Sequence, residues 1–338
     1  MEKKIITRAL IESAVDHELK NMESNPKRTL RKLADMGKLF STGRFSQWNF
    51  DMIQKMLQNE DSPYYTIIEH LVKNNDLNNL KYFCTNIGYE SWVYNARILR
   101  DNCSKLKCAI PWMVIFHYNP ELKDSLSKKK LKDFIESATK LGINTFSFIQ
   151  EGVSGTSDEL ADIFEKFPTC GFFYFLPDSK IDLAYASRLK KCKNVMISIN
   201  AKDKNCLDAC AALRQFGSLF AIHYKYNDDD LKNTDAVKVL ESCYSSQSPM
   251  LFTIQDDNCK NNISASVTDL RLHQTYPIFL WDLYSDVRSI SEMICDQSSI
   301  LRIKPNGFLQ EPNINISIKN DSLENILKES MPKITNIA

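Results

Sequence analysis

Glycine is scarce, with nine residues in a chain of 338. A site that grips phosphate or a dinucleotide through bare backbone amides needs more of it. Neither a G-x-G-x-x-G turn nor a phosphate loop is present. The G-x-S-x-G elbow of serine hydrolases is missing, which weighs against an α/β hydrolase or transferase. No H-x-H, H-E-x-x-H or carboxylate cluster points to a metal. No apolar run approaches the ~20 residues of a membrane span. The first residues, "MEKKIITRALIES", lack the apolar core of a signal peptide, so a cytoplasmic location is expected. Charge of either sign is in balance: a net +1 exerts no general pull on nucleic acid or membrane.

Cysteine is plentiful, ten in all, but no two form C-x-x-C. Neither a zinc knuckle nor a thioredoxin-type motif is therefore written out. In a reducing compartment these are free thiols, largely packed in cores. Cys206 and Cys210 stand four apart and share a helix face, a packing pattern, since two ligands rarely hold a metal.

What the chain does have changes along its length. Residues 1–105 read as an α-helical N-terminal region. In "SPYYTIIEHLVKN", Ser62 is a cap and Pro63 a first helical residue, with Tyr64, Ile67, Ile68 and Leu71 on one face. Residues 106–275 alternate short apolar runs with amphipathic helices. The runs are "IPWMVIF" (110–116), "INTFSFI" (143–149), "GFFYFL" (171–176), "NVMISI" (194–199), "SLFAIHY" (218–224) and "PMLFTI" (249–254). Between them, Ser127 caps a helix carrying Leu131, Phe134, Ile135 and Leu141, and Thr156 with Glu159 spells a capping box. Further helices are expected near 181–191, 204–216 and 230–243. Six strand–helix repeats with continuous apolar strands mean a parallel sheet covered by helices. The expected fold is α/β, a partial (β/α)6 barrel, with an open doubly wound sheet as the alternative. "PIFLWD" (277–282) is a further strand candidate. Residues 276–338 read as a C-terminal extension, with Asn306-Gly307 as the two-residue turn of a hairpin and a strand and helix in the tail.

In such folds function sits at the C-terminal ends of the strands. The residues there are His117, Tyr118, Gln150, Glu151, Asn200, His223, Tyr224, Asp256 and Asp282, with Lys225 and Asp257 beside them. His-Tyr ends two strands, and all four of those side chains are expected to point to the barrel mouth. The histidines, Glu151 and the aspartates are the groups available for acid–base chemistry or metal ligation.

The order "IPWMVIF", "LGINTFSFIQEG", "FFYFLPDSKID", "KNVMISIN" resembles the radical S-adenosylmethionine (radical SAM) superfamily, in particular a group with a helical N-terminal region and a C-terminal, SPASM-like extension. "NLKYFCTNIGYESWVYNARILRDNC" is similar to the helix leading into the barrel there, and "YPIFLWDLYSD" and "IKPNGFLQEP" to parts of the extension. The resemblance covers nearly the whole chain and implies a C-x-x-x-C-x-x-C loop after the first strand, whose thiolates hold a 4Fe–4S cluster. Here that loop is "HYNPELKDSLS", and no cysteine lies between Cys108 and Cys170. The turn that receives the cofactor's amino group is "QEGVS", where Gly152 remains but Val153 stands in the carboxylate's place. Pro177-Asp178 replaces the third strand's usual Asn-Gly turn, the fourth strand's polar end is Asn200-Ala201, and Asn313 replaces a cysteine of the extension. The remaining thiols do not converge: Cys170 and Cys192 fall near strand starts, and Cys206, Cys210 and Cys243 on outer helices. The resemblance thus implies a degenerate member that has lost both S-adenosylmethionine and the cluster. Such a pseudoenzyme would bind an active radical SAM homologue or a peptide, with no nucleic-acid partner. An enzyme of another class using the vacated pocket is the alternative.

Overall fold

The computed structural model describes residues 2–22, 25–41, 43–152, 157–181, 183–233, 236–311 and 314–334. Among them, Thr156, Val153 and Asn313 are not included, so the expectations placed on those three residues lie outside the described ones.

Eight strands form one sheet among the described residues: β1 (Met113–Tyr118), β2 (Thr145–Gln150), β3 (Gly171–Phe175), β4 (Val195–Asn200), β5 (Phe220–Tyr226), β6 (Met250–Gln255), β7 (Phe279–Asp282) and β8 (Leu301–Ile303). The order is β7-β6-β5-β4-β3-β2-β1-β8, and every pair is parallel. The expected six strands are therefore corrected to eight. "PIFLWD" does supply β7, and β8 comes from the stretch read as one arm of a hairpin. The result is a parallel α/β half-barrel, with β7 and β8 at its two edges.

The strands are buried on both faces, as helix-covered parallel strands must be. Helices lie between them. The helix Lys128–Leu141 starts where the Ser127 hydroxyl accepts from the Lys130 N–H (3.3 Å), and stops at Gly142, whose φ of 98° is left-handed. Asp158–Lys166 follows Ser157, and Leu183–Leu189 and Cys206–Gln215 fill the next two crossovers. The single helix expected near 230–243 is two pieces, Asp228–Asn233 and Ala236–Ser245.

Before β1 the chain is helical: α1 (Glu2–Lys20), α2 (Pro26–Phe40), α3 (Arg44–Met56), α4 (Tyr64–Asn74) and α5 (Leu77–Thr85). The α5 helix runs on through a π-helical stretch, Asn86–Asn95, into α6 (Ala96–Leu106). The Ser62 hydroxyl accepts from the Tyr64 N–H at 3.2 Å, but α4 starts at Tyr64 with Pro63 at its N-cap, one residue later than expected. The π-helical stretch closes the N-terminal end of the half-barrel. Asn86 Nδ2 donates to the Pro168 and Cys170 carbonyls (2.8 and 2.9 Å), Ser91 Oγ lies 2.7 Å from Thr145 Oγ1, and Arg8 reaches both Asn86 Oδ1 (2.9 Å) and buried Glu90 (2.8 Å).

At the other end of the chain, the expected two-residue turn is longer. The Lys304 N–H donates to the Phe308 carbonyl and Gly307 N–H to the Lys304 carbonyl. Pro305, Asn306 and Gly307 thus make a three-residue loop, with Gly307 left-handed at φ 89°. In the tail, the helix Leu323–Ser330 is present, but residues 314–322 contribute an isolated bridge at Ser317 and no strand. No helix among the described residues is long and apolar enough to cross a membrane.

Candidate functional site

Parity sorts the strand-end residues. Successive side chains on a strand take opposite faces, so His117 and Tyr118 part company. His117 takes the inner face, where its Nδ1 lies 2.8 Å from Glu151 Oε1. Tyr118 takes the helix side, its hydroxyl meeting Ser157 Oγ (3.1 Å) and Glu159 (3.3 Å) across the start of the helix Asp158–Lys166. Burial pushes that phenol up to about 12. The expectation that Tyr118 faces the mouth is corrected. Tyr224 likewise shares the parity of the helix-side residues of β5, and the Lys202 ammonium sits 4.8 Å above its ring.

Across the mouth runs a belt of charge. Glu151, just past β2, pairs with His117 of β1 and lies 4.0 Å from the Lys225 ammonium of β5. Lys225 in turn reaches Asp256, just past β6, at 3.4 Å. The His117 hydrogen bond holds the Glu151 carboxyl below its usual range, against the opposing effect of burial. The imidazole is 5% exposed, and its Nε2 is buried with no hydrogen-bond partner among the described residues. A second link spans the two flanks of the sheet: Arg302 of β8 donates to Asp257 after β6 (2.9 Å), which also accepts from Gln310 Nε2 (2.8 Å).

His223 is also on the inner face, but deeper. Its Nδ1 lies 3.1 Å from Ser198 Oγ, and its ring stands edge-on to Phe175 at 5.3 Å. Burial drives its pKa down to about 3, so it is neutral. The other candidates do local work. Gln150 accepts from the Tyr174 hydroxyl on the helix side. Asn200 Nδ2 donates to the Pro177 carbonyl (2.9 Å). Asp282 accepts from the Ser285 N–H (2.9 Å) and from Thr253 Oγ1 (3.1 Å), capping the helix Leu283–Cys295, and burial raises its pKa. The site therefore gathers His117, Glu151, Lys225 and Asp256. Arg302 was missed because "ILRIKP" reads locally as a hairpin arm.

The thiols present do not fit a 4Fe–4S cluster at this end of the sheet, which needs three or four converging sulfurs. Cys259, past β6, is bonded to Asp228 (3.3 Å) and the Asn261 carbonyl (3.1 Å). Cys103 and Cys295 meet each other at 2.8 Å near the start of β1, and Cys170 meets Asn144 at a strand start. No group of three His, Cys, Asp or Glu side chains among the described residues is arranged to hold a metal ion.

No family model matches the chain, and no curated protein matches it. Solved structures do. The chain is similar to Streptococcus suis SuiB bound to S-adenosylmethionine, with TM-score 0.51 and 10% identity, over 70% of this chain and 68% of that one. SuiB bound to the precursor peptide SuiA gives the same TM-score and identity, over 70% and 69%. Native anSMEcpe with bound AdoMet is more distant, at TM-score 0.41. The likeness to SuiB is one of fold alone: a parallel half-barrel of the radical SAM-like kind.

Proposed function

We propose that the chain is a radical SAM-like protein that has given up radical chemistry and works by binding, as partner to an active radical SAM homologue or to a peptide. One observation carries the reading. Where the superfamily's loop brings thiolates to the mouth, this chain has the cysteine-free stretch from His117 to Ser127, and the mouth is spanned by the His117–Glu151–Lys225–Asp256 belt. Folds outlast the sites grafted on them. The peptide half of the proposal is supported by SuiB, which has been seen with its precursor peptide.

The test is anaerobic reconstitution with iron and sulfide, followed by calorimetric titration with S-adenosylmethionine. The expected protein is colourless, holds no stoichiometric iron and shows no micromolar affinity for the cofactor. Stoichiometric iron with thiolate-to-iron absorption overturns the proposal. Co-expression of the tagged chain with the active homologue is expected to recover the two together.

The His117–Glu151 pair favours a second reading, an enzyme of another class. An ionised carboxylate orients the imidazole through Nδ1 and leaves Nε2 free to take a proton, the geometry of a general base. A substrate turned over by the wild type but not by His117→Gln would replace the binding proposal with this one.

A further inference from the structure

The strongest feature outside the mouth is at the opposite end of the half-barrel. A cavity of about 540 Å³ lies between helices α1–α5, the π-helical stretch and the strand starts. That volume is within the ~300–1,000 Å³ of small-molecule sites, whereas cores normally leave few voids larger than a water molecule. Its wall is almost wholly apolar, with Leu19, Leu33, Ile53, Ile67, Met196 and Phe279 contributed by six different elements or their flanks. Two further facts define what would fill it.

The first is how little polar surface the wall presents. Asn49 Nδ2, Thr85 Oγ1, Trp92 Nε1 and Trp281 Nε1 all belong to lining residues and are buried without a hydrogen-bond partner among the described residues. Asn49 and Thr85 are 7% and 4% exposed. All four lie behind the apolar wall, so none of them meets an occupant of the cavity. The second is charge. Lys81 is the one charged residue among the described lining residues, and its ammonium is paired with Asp16 at 3.0 Å. Among the described lining residues no free cation awaits a carboxylate or phosphate.

We propose that this cavity binds a neutral long-chain lipid, held by burial of its hydrocarbon chain against this wall. The proposal stands apart from the function proposed for the mouth, and each can fail without the other. Cys84 supports it. The residue lines the cavity and is exposed, yet burial lifts its thiol to about 11. Both hold if the thiol opens into a space surrounded by protein.

Gly88 supplies the test. It lines the cavity, and a Cβ placed on it meets nothing within 4 Å. A larger side chain there occupies the cavity rather than the surrounding core. The probe is methyl cis-parinarate titrated into the full chain, read by energy transfer from the wall tryptophans. The expected result is saturable binding of one lipid per chain, weakened roughly tenfold or more by Gly88→Leu, with no drop in melting temperature. Cys84 is the exposed cysteine of the ten, and bound lipid is expected to slow its modification by N-ethylmaleimide. Absence of saturable binding, unchanged affinity in folded Gly88→Leu, or Cys84 labelling that bound lipid does not slow overturns the proposal. If Gly88→Leu does not fold, the Cys84 protection in the wild type decides it.

Discussion

His223 sits edge-on to Phe175 with one ring nitrogen on Ser198, and an imidazole in such a place resists protonation. Its folded pKa of about 3 lies below the ordinary 6.5, so on acidification the unfolded chain takes the proton first. The contribution is whole above about pH 6.5 and is lost progressively as the pH falls toward 3. Between pH 7 and pH 5 this side chain alone should cost roughly 2 kcal/mol of stability. Denaturant melts at both pH values should show a smaller acid loss in His223→Phe than in the wild type; equal losses would mean that the imidazole charges freely in the folded protein. The identities of His117, Glu151 and His223 as strand-end residues were legible in the sequence, but their directions were not. "MVIFHY" is apolar on both faces, so no period-two signal says which neighbour turns inward. Parity became readable only once the sheet's contacts fixed one residue.

At the scale of the element, the α5–π–α6 rod shows how a polar side chain can fasten a helix to a sheet. Asn86 is fully buried and holds two carbonyls at the β3 entry while accepting from Arg8. Asn86→Ala leaves those groups unmet, and each buried orphan costs about 1–3 kcal/mol. A loss on the order of 3 kcal/mol is expected in urea melts, with the secondary structure of the remaining fold retained; a loss below about 1 kcal/mol would show that water replaces the amide. The helical character of this stretch is read from its resemblance to the helix that leads into such barrels. Its wider winding is not, and the partners that Ser91 and Asn86 meet there, Thr145 and the carbonyls before β3, are distant in sequence. The helix Lys128–Leu141 is the opposite case: Ser127 and Gly142 mark its two ends locally, and the structure keeps both.

For the whole molecule, the half-barrel leaves its two flanks unpaired with each other, and side chains bridge them instead. The Arg302–Asp257 contact joins β8 to the loop after β6 across the mouth. Asp257 is 40% exposed, so solvent screens the pair, and a double-mutant cycle of Arg302→Met with Asp257→Asn should return a coupling of about 1 kcal/mol. A coupling near zero would mean that the flanks are held by the Arg302–Tyr284 stacking and the Gln310 contact alone. The repeat of strand and helix announced a parallel sheet well enough. The eighth strand reads in the sequence only as a hairpin arm, because three residues containing an arginine carry no sign of the partner they will take. They join the parallel sheet against Val114, Ile115 and Phe116.

That pairing also sets the order in which the molecule can be completed. β1 has β2 available almost at once, but its other edge waits for Leu301–Ile303. At ribosomal speeds of about 5–20 residues per second, that edge stays bare for on the order of ten seconds or more after β1 is made. An uncovered run of Val114, Ile115 and Phe116 is a template for pairing with another nascent chain. Closing a contact so distant in sequence is slow even for the finished chain. The demand this fold places on a cell is for protection during synthesis, and it is set by where in the sequence the last strand lies.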